Sequence, residues 1–94
     1  MSDMALQTDG GRAARAALEA AIGAIWVETL ELPEIEVNDD FFELGGHSLI
    51  AIEITEKIRA LLGANKFPID LFETPTIATL TDAILARLNA GTVA

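Results

Sequence analysis

The run Gly45, Gly46, His47, Ser48 is where this chain could do chemistry, because a serine follows two residues without side chains and opens a stretch of helical spacing. Two glycines let the backbone bend tightly and leave the Ser48 hydroxyl uncrowded, while the unpaired amides and positive end of a helix start favour a phosphate there. A phosphorylated or phosphodiester-bearing Ser48 suits the position. So does a Ser48 that only caps the helix, a common role for serine. Catalysis suits it badly, since adjacent helical side chains diverge and His47 and Ser48 do not make a nucleophile and base pair. A nucleophile elbow needs glycine where Ile50 stands, and a phosphate-cradling P-loop needs lysine where His47 stands. Asn38, Asp39, Asp40 and Glu43 share only the composition of a calcium loop, without its alternate-position ligands and central glycine. With one histidine and no cysteine, no metal site and no catalytic residue is expected.

The elements that must position Ser48 follow from spacing and punctuation. Leu18, Ile22, Ile25, Trp26 and Leu30 recur on one helical face, and Pro33 cannot continue that helix. The long connection from Glu31 to His47 has no sustained period, and its Ile35, Val37, Phe41, Phe42 and Leu44 predict a loop pinned onto the core. Asn38, Asp39 and Asp40 supply caps for a short turn at Phe41 to Leu44. A second helix runs from Ser48 to Leu62, stopped by Gly63 in a left-handed cap position. Pro68 to Phe72 supports a single helical turn with Ile69, Leu71 and Phe72 as anchors. Thr74 and Pro75 read as the cap and first position of a last helix carrying Ile77, Leu80, Ile84, Leu85 and Leu88 on one face. No segment alternates with period two, so the class is all-α with three main helices and one short one.

At 100° per residue, Ile50, Ala51, Ile54, Ile58, Leu61 and Leu62 cover one face of the second helix. Ser48, Leu49, Ile52, Glu53, Glu56 and Arg59 fall on the other. Two large aliphatic residues therefore sit beside the serine on the wet side, either as a contact face or covered by the Glu31 to His47 loop.

Length and charge bound the rest. The 94 residues allow one small domain, set at 12–90 after a disordered leader at 1–11 and before a flexible tail at 91–94. Six basic against fifteen acidic residues give a net charge of −9, and no Lys or Arg lies between Arg15 and Lys57. Nucleic acid and anionic membrane are poor partners for such a surface, and a cationic protein is a good one. No run approaches the roughly 20 apolar residues of a membrane span, and a cytoplasmic monomer is expected.

The stretch Asp40, Phe41, Phe42, Glu43, Leu44, Gly45, Gly46, His47, Ser48, Leu49 resembles the attachment motif of carrier proteins, in particular the peptidyl carrier branch. The resemblance returns at Leu71 to Ile77, similar to the Leu-Phe-x-x-Pro-Thr stretch before the family's last helix, and covers about Leu18 to Leu88. Asp70 and the compressed spacing into Leu71 and Phe72 depart from the usual pattern. His47 resembles the peptidyl type, where fatty acid and many polyketide carriers have Asp. The resemblance implies a four-helix bundle with a long first loop and a short third helix. It also implies a non-enzyme whose Ser48, beside Gly46 and His47, bears 4′-phosphopantetheine donated from coenzyme A by a phosphopantetheinyl transferase. Leu49, Ile52, Glu53 and Glu56 would then meet the partners: the transferase, an adenylating loading enzyme, and condensing or tailoring enzymes. The reading is an aminoacyl or acyl thioester carrier in nonribosomal peptide or hybrid natural-product biosynthesis. Two alternatives stand beside it: a polyketide-type acyl carrier, and an acidic helical adaptor that is never modified.

Overall fold

Helical spacing and its breakers translate into three helices in a computed structural model, which describes the backbone from Ser2 to Ala90 and the side chains from Arg12 to Leu88. They are α1, Ser2–Leu30, α2, Ser48–Leu62, and α3, Ile77–Ala90. The bounds of α2 agree with the spacing. Gly63 ends it at φ 67°, its amide donating to Ala60 O and the amide of Ala64 to Arg59 O, which satisfies carbonyls the helix leaves open. Helix α1 ends on Glu31 at φ 56°, with the Leu32 amide reaching back to Val27 O at 3.0 Å.

Three expectations are corrected. Helix α1 starts at Ser2, so the segment 1–11 set aside as a leader is, from Ser2 onward, backbone of the same helix. Gly10 and Gly11 each cost a helix about 1 kcal/mol against alanine but remove no hydrogen bond, and no proline interrupts them. The predicted tail at 91–94 lies outside the described residues. The short third helix is absent among the described residues: Phe67 to Asp70 is irregular and Leu71 to Glu73 forms only a turn. Asp70 closes that turn, its Oδ1 accepting from the Phe72 amide and its carbonyl from the amides of Glu73 and Thr74. Thr74 is spent there too, its Oγ1 donating to Asp70 O at 2.9 Å, and Pro75 disfavours helix at the preceding residue. The cap of α3 is therefore Thr76 and not Thr74. Thr76 Oγ1 accepts from the Thr79 amide and Thr79 Oγ1 from the Thr76 amide, a reciprocal capping pair.

Both α2 and α3 pack on α1. The buried core takes Ile22 and Trp26 from α1, Ala51, Ile54 and Ile58 from α2, and Ile77, Leu80 and Ile84 from α3, completed by Phe41, Phe67 and Leu71 from the connections. Phe67 was not among the expected anchors. Phe72, which was, is 67% exposed, because its neighbour Leu71 takes the inward position in the turn. Leu61 and Leu88, assigned to core faces, are about half exposed. They lie where the small side chains of Ala14, Ala17 and Ala21 on α1 fail to cover them. Polar ties between elements include Lys57 Nζ, which bonds Thr29 Oγ1 at 3.0 Å and pairs with Glu28, and Arg15, which pairs with Asp82.

Thr81 is fully buried in α3, and its Oγ1 has no hydrogen-bond partner. An orphaned buried hydroxyl costs roughly 1–3 kcal/mol, whereas an apolar group of the same shape does not. Thr81→Val should therefore raise stability by about 1 kcal/mol, read as a midpoint increase of roughly 4–8 °C in thermal unfolding.

Candidate attachment site at the start of α2

The fully buried anchor of the loop before Ser48 is an aromatic side chain, Phe41. Asp40 starts a turn, its Oδ1 accepting from the amides of Phe42 at 2.8 Å and Glu43 at 3.2 Å, the capping role its type and place predict. The turn drives Phe41 inward, where it is fully buried edge-on to Trp26, with ring centroids 5.4 Å apart. The Phe41 amide donates to Pro75 O at 2.7 Å, and the Phe41 carbonyl accepts from the Gly46 amide at 2.9 Å. A second strap joins the loop to α3, the Ala78 amide donating to Val37 O at 2.9 Å.

The two glycines do different work. Gly45 has φ 101°, a left-handed conformation that favours glycine, with open space beside it. Gly46 is required by contact: a Cβ there would lie 2.3–2.6 Å from three atoms of the Phe41 ring. From the sequence, tight bending and an uncrowded serine account for both glycines. The structure shows that Gly46 instead makes room for the phenylalanine five residues before it.

His47 follows as the residue before the helix, extended at φ −148°, and gives α2 no side-chain cap. Its carbonyl accepts from the Ala51 amide at 2.8 Å, so Ser48 is the first helical residue and not the cap. Ser48 is exposed, and no hydrogen bond involves its hydroxyl among the described residues. The helix start leaves its first amides without intrahelical acceptors, which suits an attached phosphate. His47 is exposed, and among the described residues no side chain, His47 included, hydrogen-bonds the Ser48 hydroxyl. No cluster of three His, Cys, Asp or Glu side chains is placed to hold a metal ion among the described residues.

Leu49 is 73% and Ile52 60% exposed, so the Glu31 to His47 loop covers neither. Glu53 and Glu56 are exposed on the same face, bridged to Lys57 at 3.2 Å and Arg59 at 3.7 Å. The structure thus brings Ser48, Leu49, Ile52, Glu53 and Glu56 to one surface, with Gly46 beneath its edge. Two features were missed in the sequence. A groove of about 300 Å³ opens beside Ser48, walled by Ala51, Ile52 and Thr55 on α2 and by Ile69, Leu71 and Phe72 opposite. The segment that leads to the opposite wall is tied to α2 by Arg59, whose Nε donates to Phe67 O at 2.8 Å. Spacing within α2 carried no signal for a partner wall that arrives from a segment without periodicity.

Residues 20–84 match the family described as "Phosphopantetheine attachment site". The chain is 40% identical over 82 residues to malpinin synthetase of Mortierella alpina, covering 87% of this chain and 1% of that protein. It is 40% identical over 81 residues to a dimodular nonribosomal peptide synthase of Bacillus subtilis (strain 168), covering 86% of this chain and 3% of that protein. The chain therefore spans only a few per cent of these curated relatives. Among solved structures it is similar to BlmI, described as a type-II acyl-carrier-protein from Streptomyces verticillus involved in bleomycin biosynthesis. The TM-score is 0.78 at 43% identity, covering 84% of this chain and 95% of that one.

Gly46→Ala should destabilise the fold by roughly 1–3 kcal/mol, the usual cost of overpacking, as read by urea denaturation. Combined with Phe41→Leu, the loss should fall below the sum of the two single changes, the mark of residues in contact. Leu49→Ala and Ile52→Ala should each stay within about 0.5 kcal/mol of wild type in the same assay, as exposed positions do.

Proposed function

Because this chain belongs to the phosphopantetheine attachment-site family of non-catalytic carriers, which bear covalently attached 4′-phosphopantetheine, we propose that Ser48 is its attachment residue. The domain then carries aminoacyl or acyl intermediates in nonribosomal peptide or hybrid natural-product assembly. The observation that supports this most is the Ser48 hydroxyl itself, exposed on the first helical residue without a hydrogen-bond partner or an adjacent base.

The residues present fit the group. Ser48 Oγ is open to solvent, Gly45 and Gly46 present no side chain toward it, and the amides that open α2 face an attached phosphate with the positive end of the helix. In the transfer step, Ser48 Oγ attacks the phosphorus of coenzyme A nearest the pantetheine. The new O–P bond forms, the P–O bond of the pyrophosphate breaks, and adenosine 3′,5′-bisphosphate leaves with the electron pair. The hydroxyl proton passes to a base of the transferase, since no hydrogen bond joins the His47 side chain to the Ser48 hydroxyl. When bound, the group supplies a terminal thiol on which cargo is held as a thioester, which suits a chain without cysteine.

An adenylating enzyme is the proposed loader, with condensing or tailoring enzymes downstream. His47 ahead of the serine and the relatives named as nonribosomal peptide synthases support that assignment. The chain works in this reading as a cytoplasmic monomer, its net charge of −9 opposing self-association.

Incubation with coenzyme A, magnesium and a broad-specificity phosphopantetheinyl transferase should add one phosphopantetheine to the intact mass of the wild-type protein. Ser48→Ala should keep its helical circular dichroism and gain no mass. A normal mass gain in that variant would place the attachment elsewhere.

A further inference from the structure

Gly23 lies buried inside α1, at a place the fold does not reserve for glycine. Its φ is not positive, and a Cβ there would meet Ile77 Cδ1 at 3.6 Å and Ile35 Cγ2 at 3.9 Å, both ordinary contacts. Alanine would fit and would favour the helix, because glycine gives up more backbone freedom on folding. What the missing methyl leaves is room.

That room is part of a groove of about 440 Å³. Ala16 and Ala20 continue the α1 wall on either side of the glycine's turn, while Ile35 and Val37 from the first connection and Ile77 at the head of α3 form the other wall. Among the described residues none from α2 lines it, so the groove is separate from the surface that presents Ser48. The far wall is braced. Val37 O accepts from the Ala78 amide at 2.9 Å, and Asp39 Oδ2 accepts from the Glu36 amide at 2.9 Å. An apolar wall already held in place loses little freedom when something packs on it.

The charge around the groove has one sign. Glu34 and Glu36 flank Ile35 and are exposed, and no ion pair among the described residues involves either. Glu19 lines the groove itself, and the Arg15 that pairs with it also pairs with Asp82. On α2, by contrast, Glu53 is matched by Lys57 and Glu56 by Arg59. The groove is apolar along its walls and open to positive charge at its rim.

We infer that this groove is a second docking site, taking an amphipathic helix of a partner protein that lays an apolar side chain over Gly23 and sets Lys or Arg against Glu34 and Glu36. Apolar anchors in a groove with complementary charge at the edge are how such helices are held. A partner seated there leaves α2 uncovered, so one protein can hold the domain while another acts at Ser48. The site stands on the groove and its rim, independently of Ser48 as the attachment residue.

The test titrates a synthetic amphipathic helix, with a leucine stripe at helical spacing and lysine elsewhere, into the isotope-labelled full chain followed by nuclear magnetic resonance. The largest amide shifts should fall on Gly23, Ile35, Val37 and Ile77, and the same helix with glutamate in place of lysine should not bind. Glu34→Gln combined with Glu36→Gln should weaken binding about fivefold, the scale of two exposed ion pairs. Gly23→Ala should raise the thermal unfolding midpoint by about 4 °C and yet weaken binding about tenfold, because the methyl stands where the leucine must lie. Shifts absent from the groove or centred on Leu49 and Ile52, or wild-type affinity in either variant, overturn the proposal. A Gly23→Ala protein less stable than wild type also overturns it, since the fold would then account for the glycine. Concentration-dependent shifts at Gly23 and Val37 without peptide would give the groove to a second copy of the chain and overturn it as well. A chain that binds the helix in the groove but gains no phosphopantetheine would overturn the attachment reading alone.

Discussion

The seat of Gly46 against the Phe41 ring is the constraint on which the rest of this domain depends. Phe41 is bonded or packed to α1 and to the approaches of α2 and α3: to Trp26, to the carbonyl of Pro75 ahead of α3, and to the glycine that leads into α2. A connection as long as Glu31 to His47 would be costly to order without such a pin, because each residue fixed loses roughly 1–2 kcal/mol of backbone entropy. Gly45 turns through a positive φ, Gly46 lies on the ring, and Ser48 emerges as the first residue of α2.

Function in this domain is a matter of presentation. Ala51, Ile54 and Ile58 bury one side of α2, and that burial leaves Ser48, Leu49 and Ile52 outside. Among the described residues no side chain hydrogen-bonds the Ser48 hydroxyl. What the fold supplies is a fixed hydroxyl at a helix start, an apolar surface around it, and an acidic rim that favours encounter with a cationic enzyme. The chemistry is left to partners, in keeping with a family of carriers.

How far the sequence carried depended on the range of the interactions involved. Helix α2, its glycine stop and the Asp40 turn were legible because spacing, capping and left-handed cap positions are local rules written in adjacent residues. The exposed Leu49 and Ile52 were legible for the same reason, by exclusion from a face already filled. The rest was decided by contacts distant in sequence. Phe41 beneath Gly46, the Arg59 bond to the Phe67 carbonyl, and the stacking of Phe72 on Phe42 leave no periodic trace. In place of the expected short third helix stands a turn in which the Asp70 side chain takes the Phe72 amide, a donor that a helix would have paired with a backbone carbonyl.

Nuclear Overhauser contacts between the α-protons of Gly46 and the ring protons of Phe41, in the unmodified full chain, test this account most directly. The seat predicts strong contacts, with a large ring-current shift of the Gly46 α-protons. Absent contacts and ordinary glycine shifts, in a protein whose α2 is intact by its own amide contacts, would contradict it and leave the placement of Ser48 without its cause.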